Sequence, residues 1–163
     1  MIDALPTPAW HRGTAAPVLA SRGERQEVHV PVQRLSSEDF EVLSNPGITS
    51  VQLMWQTNAP EAQVTITRVT MEPGAVSKRH THPRSEQTWI VEKGAATLLL
   101  VDDQMHPIAA GEIIRTPAGE THGVVNTGAE PFVYLSVTTP PQDFTPAYRS
   151  REKANRPAAE GAR

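Results

Sequence analysis

Two histidines one residue apart, His80 and His82 in the stretch HTHPRSEQTWIVEKG, are where the chain concentrates side chains able to hold a metal. Along an extended backbone successive side chains alternate between faces, so His80 and His82 point the same way and can share one cation. The run that follows divides by the same alternation. Glu86, Thr88, Ile90 and Glu92 fall on one face, and Gln87, Trp89 and Val91 on the other. The second face carries more apolar surface and reads as interior. Gln87, rather than the more obvious Glu86, is therefore the candidate ligand on this strand, and Trp89 is expected to wall the same cavity. Glu86 turned inward is the alternative, as a ligand or as a nearby base.

A second cassette supplies a third imidazole. Gly111 is followed by Pro117-Ala118-Gly119, then His122 and Asn126. Glycine and proline make a sharp turn, and the strand after it points His122, Val124 and Asn126 to one side, so His122 can meet His80 and His82 across a barrel. Neutral imidazoles suit one divalent transition ion, Fe, Mn, Ni, Cu, Co or Zn, far better than Ca or Mg. Asn126 stands where its strand ends and reads as a turn or backbone-bonding residue. His11, His29 and His106 lack any such framing and read as ordinary surface or hydrogen-bonded histidines. Tyr134 and Arg68 could reach a ligand, but nothing in the sequence selects them for it.

These residues need a rigid β scaffold, and the chain supplies the pattern for one. Fifteen prolines and ten glycines punctuate it, and β-branched runs lie between them, which favours short strands and tight turns over long helices. Strands are expected over 27–35, 48–56, 63–71, 86–92, 95–101, 105–108, 111–117, 121–127 and 131–139. Pro31 would put the first at a sheet edge, Ser36 or Ser37 could cap a short helical turn, and Asn45-Pro46-Gly47 and Pro73-Gly74 mark turns. The fold class is all-β, a sandwich or closed barrel.

At 163 residues the chain suits one domain with one core. Residues 1–26 read as an extended arm, 27–141 as the barrel and 142–163 as a charged tail, with Phe144 and Tyr148 able to pin the start of that tail to the barrel or to a partner. The cluster Arg149, Arg151, Lys153 and Arg156 reads as a solvated tail or short surface helix. A net charge of −3 without a basic stripe argues against nucleic acid and for a small-molecule partner. No cysteine is present, so neither disulfides nor thiolate chemistry enter. The opening residues lack a signal-peptide pattern and no apolar run is long enough to span a bilayer, so a cytoplasmic protein with no membrane partner is expected.

The two cassettes resemble the paired motifs of the cupin superfamily. Gly74, His80-Thr81-His82, Gln87 and Gly94 stand for the first, and Gly111, Pro117, Gly119, His122 and Asn126 for the second, over roughly 62–139. The first departs at one position, where Gln87 occupies the place of the family's glutamate. The resemblance implies a jelly-roll barrel, usually a homodimer, with one divalent metal held by His80, His82, Gln87 and His122, and it names no particular reaction. With glutamine in place of glutamate the formal charge of a divalent centre stays at +2, which attracts an anionic or vicinally oxygenated ligand. The expected function is an enzyme acting on a small carboxylate or oxygen-rich metabolite by dioxygenase, isomerase or lyase chemistry. The alternative is a non-catalytic small-ligand binder or sensor.

Overall fold

The computed structural model describes residues 31–148. The expected arm over 1–26, His11, His29 and the basic cluster after Tyr148 lie outside the described residues.

Ten strands follow in order: β1 (Glu41–Asn45), β2 (Ile48–Met54), β3 (Thr65–Met71), β4 (Val76–His80), β5 (Glu86–Lys93), β6 (Ala95–Leu99), β7 (Met105–Ala109), β8 (Ile113–Thr116), β9 (His122–Val125) and β10 (Phe132–Thr139). They form a six-stranded sheet in the order β1-β2-β3-β10-β5-β8 and a four-stranded sheet in the order β4-β9-β6-β7. From β3 onward the chain crosses repeatedly between the two layers, the signature of a jelly roll. The core lies between the sheets. Met71, Trp89, Val91 and Phe132 enter it from the larger sheet, and Ala96, Leu98, Ile108 and Val124 come from the smaller or its connections.

Alternation sets the inner face of each strand. Along β5 the residues Gln87, Trp89 and Val91 are buried while Ile90 and Glu92 are exposed, as the pattern of apolar residues predicts. The helical turn expected near Ser36 is a single 3₁₀ turn, Ser37–Asp39, whose first turn is closed by the Ser36 amide donating to the Asp39 carboxylate at 2.7 Å.

The strand expected over 27–35 is not found in its described part. Residues 31–35 are irregular and Val32 is fully exposed. Alternating valines make a strand only where a neighbouring strand takes up their backbone groups, and none does so here among the described residues. Conversely β4, with the sequence VSKRH, was not anticipated as a strand. It lies at the edge of the smaller sheet and most of its residues are exposed or half-buried, so it carries no apolar alternation to betray it.

Two glycines allow chain segments to approach. Gly94, at φ +80°, joins β5 to β6, and a Cβ there would meet the Pro131 carbonyl at 2.7 Å. Gly123 lies in β9 under β4, and a Cβ there would meet the Ser77 carbonyl at 2.7 Å and the Arg79 nitrogen at 2.9 Å. That close crossing aligns His80 opposite His122 in the β4–β9 register.

Candidate metal centre

The end of β4, the segment after it and the first residue of β9 bring three imidazoles together. Ring centroids are 4.9 Å apart for His80 and His82, 4.6 Å for His80 and His122, and 5.2 Å for His82 and His122. One nitrogen from each ring can be chosen so that all lie within 4.8 Å of one another. Tetrahedral donors around one ion stand about 3.4 Å apart at bond lengths near 2.1 Å, so side-chain shifts of about an ångström close this set around a single cation.

Hydrogen bonds fix which nitrogens are offered. His80 Nδ1 lies 2.7 Å from the Lys78 carbonyl and His122 Nδ1 3.1 Å from the Glu120 carbonyl. A carbonyl oxygen can only accept, so the tautomer with the proton on Nδ1 satisfies both carbonyls and leaves each Nε2 lone pair for a metal. His82 is buried and neither of its ring nitrogens makes a hydrogen bond of normal geometry, Gln142 being the polar side chain that faces it, which leaves a lone pair for something else to take.

Gln87 approaches the cluster from the larger sheet. Its Nε2 donates to Thr138 Oγ1 at 3.2 Å and its Oε1 accepts from Trp89 Nε1 at 3.1 Å, which orients the carboxamide with oxygen inward. That oxygen lies 3.1 Å from His122 Nε2. Burial holds His122 down at about 4, with the Glu120 carbonyl opposing and His80 and His82 adding to the shift, so near neutral pH the ring has one proton for two acceptors, the Glu120 carbonyl at Nδ1 and the Gln87 oxygen at Nε2. With the proton at Nδ1, the Nε2 lone pair and the Gln87 oxygen converge on a point that a cation can occupy. About 3 Å is also the separation of two donors at right angles on one ion with bonds near 2.1 Å. Burial, and then the charge of His80, hold His82 at about 4 too, against the opposing pull of Gln142. Both rings are thus in the deprotonated form that binds metals. The donor set fits a transition ion.

Glu86 is not brought to this cluster. It occupies the opposite face of β5, where its carboxylate pairs with Arg115, because an odd step along a strand reverses the side chain. Arg68 likewise faces outward and pairs with Glu92 at 2.7 Å. Asn126 is a connector: its Nδ2 donates to the Met71 and Glu130 carbonyls at 2.8 and 2.9 Å, and its Oδ1 accepts from the Gly128 amide at 2.9 Å. His106 is exposed on β7.

His80 and His82 open into a cavity of about 300 Å³, at the lower end of the range for small-molecule sites. Trp89 and Tyr134 form an aromatic wall with ring centroids 4.7 Å apart. Phe144 closes the other side, its ring edge-on to His82 at 5.7 Å. The segment that carries it also brings Gln142, Asp143 and Tyr148 to the cavity, and the Tyr148 hydroxyl meets Ser50 Oγ. Asp143 accepts from the Thr145 amide at 2.9 Å at the start of the helical residues 145–148. Phe144 and Tyr148 are identifiable in the sequence as anchors. Gln52, Ser136, Gln142 and Asp143 are not, since polar residues in strands and tails ordinarily face water.

The fold and this site define a class: a jelly-roll barrel whose cavity is headed by an imidazole cluster. Residues 67–138 match the family model for the cupin domain, which places this part of the chain in the cupin superfamily. It is 28% identical over 128 residues to a gentisate 1,2-dioxygenase of Ralstonia sp, an alignment covering 78% of this chain and 33% of that protein. The chain thus spans about a third of the length of the curated relative it matches. Among solved structures, an uncharacterized conserved protein with a double-stranded β-helix domain from Klebsiella pneumoniae superposes with a TM-score of 0.57 at 24% identity, over 69% of this chain and 93% of that one. A sugar phosphate isomerase from a cupin superfamily of Silicibacter pomeroyi gives a TM-score of 0.55 at 28% identity, over 66% and 75% of the two chains.

Proposed function

We infer that this chain is a metal-dependent cupin enzyme that holds one divalent transition ion through His80, His82, His122 and Gln87 and acts on a small, anionic, oxygen-rich metabolite. The observation that carries the reading is the inward Gln87 oxygen 3.1 Å from His122 Nε2, beside a buried His82 whose ring nitrogens make no hydrogen bond of normal geometry. A bound metal supplies Lewis-acid polarisation and a fixed attachment point for ligand oxygens. The chain's own contribution is positional. Backbone carbonyls anchor His80 and His122 through Nδ1, so those rings cannot rotate away without losing that contact. Thr138 and Trp89 hold the Gln87 amide, and Phe144 packs its ring edge-on to His82.

With a neutral amide in place of a carboxylate the centre keeps its full positive charge, which favours an acidic ligand. The likeness to a gentisate 1,2-dioxygenase supports dioxygenation of an acid of that kind, and the likeness to a sugar phosphate isomerase keeps isomerisation beside it. A homodimer in the cytoplasm belongs to the same reading, and sedimentation of the purified chain tests the dimer.

Elemental analysis of tag-free protein tests the centre itself. About one transition metal per chain is expected, and its absence after supplementation defeats the reading. His122→Ala should abolish metal retention, and Gln87→Ala should weaken it more than Glu86→Ala. The reverse order would remove Gln87 from the ligand set.

A further inference from the structure

We propose that Gln52 and Ser136 form the far end of the cavity and take a neutral oxygen, a hydroxyl or carbonyl, on the side of the acidic metabolite remote from its metal-binding group. This rests on the metal-centre reading for the direction in which the ligand lies.

The inner face of a sheet in a two-layer barrel is ordinarily apolar, yet part of this one is not. Gln52, Thr67, Ser136 and Trp89 stand opposite one another across β2, β3, β10 and β5. Most hydroxyls around this row are satisfied within the protein. Ser50 meets the Tyr148 hydroxyl, Thr65 donates to the Gln142 carbonyl at 3.0 Å, Thr67 donates to Gln52 Oε1 at 3.1 Å, and Thr138 accepts from Gln87. Two groups are left over. Gln52 Nε2 and Ser136 Oγ have no partner, although the residues are only 1% and 5% exposed, and both line the cavity. Leaving buried polar atoms unmatched disfavours the ligand-free state, and such atoms serve where a ligand supplies the partner.

Their chemistry limits that ligand. Thr67 occupies Gln52 Oε1, so the carboxamide presents N–H, while the Ser136 hydroxyl can donate or accept. Among the described residues that line the cavity none is Lys or Arg, whereas Asp143 is present. A second carboxylate or a phosphate would meet no positive charge here and would face an existing negative one. A neutral oxygen suffers neither cost. Ser136 lies diagonally from Gln87 across β10 and β5, roughly 7–8 Å between backbones. Gln52 stands two strands further, about 10 Å beyond Ser136 at the backbone. The separation suits a ligand that spans the aromatic wall rather than one confined to the metal.

Matched probes test this in the zinc-loaded full chain, zinc being redox-silent. Salicylate carries only the chelating pair, whereas 2,4- and 2,5-dihydroxybenzoate add one hydroxyl on the remote side of the ring. Calorimetric titration of wild type should show one of the dihydroxy acids bound about tenfold more tightly than salicylate. Gln52→Met keeps the side-chain length and Ser136→Ala removes only a hydroxyl. Each should bring the preference to within about threefold, with salicylate affinity and zinc content unchanged. A wild type without the preference overturns the subsite, as does a preference that survives both substitutions or a loss shared equally by salicylate. If zinc fails to bind the wild type, the metal reading falls, and the same ratio measured on the metal-free chain decides the subsite separately.

Discussion

At the scale of single residues the informative position is Gln87. An amide and a carboxylate have nearly the same shape but differ by one charge, so Gln87→Glu separates geometry from electrostatics. The variant should bind a divalent ion more tightly and salicylate several-fold more weakly, because the centre's net charge falls from +2 to about +1; paired metal and salicylate titrations measure both. His82 and His122 give a second outcome in metal-free protein. Unfolded histidines take up protons near 6.5, whereas burial holds these two at about 4. Between those values the unfolded chain binds more protons, so the stabilisation is whole above pH 6.5 and is lost as pH falls toward 4. The urea midpoint of the apoprotein should therefore be clearly lower at pH 4.5 than at pH 7, and equal midpoints would contradict the burial of these rings.

At the scale of elements, what could be read from sequence depended on whether a face announced itself. β5 was legible because Trp89 and Val91 mark its inner side, and Gln87 follows them by parity. The His122 cassette was legible because a glycine and proline turn fixes where its strand begins. β4 was hidden, since an exposed edge strand owes its conformation to pairing with β9 rather than to its own side chains. Gln52 and Ser136 were hidden for the opposite reason: nothing local distinguishes a polar residue turned into a cavity from one turned to water. Over 31–35 the alternation did not make a strand, because a pattern shows that a strand is possible and does not supply a partner. Gly123 carries no local signal either, and its role is steric. Gly123→Ala should force β4 away from β9 and displace His80 from His122, lowering metal affinity at least tenfold by competition with a chelator; metal binding left intact would show that the crossing is not needed for the site.

For the molecule as a whole, the centre should be a large contributor to stability if it is filled. A ligand bound only by the folded state stabilises it by about 4 kcal/mol at a free concentration a thousand times its dissociation constant, and in a domain of this size that corresponds to roughly 10 °C in thermal midpoint. Stripping the metal with a chelator should lower the midpoint by about that amount, and restoring it should return the loss; calorimetry of the two forms checks both directions. The placement of the donors gives such a change a particular character. His80 and His122 belong to the smaller sheet, whereas Gln87 hangs from the larger one, on a strand clamped between β10 and β8. An ion gripped from both sides would act as a rivet through layers that otherwise meet through apolar side chains, so metal supply would set how freely the two halves of the shell can slip past each other.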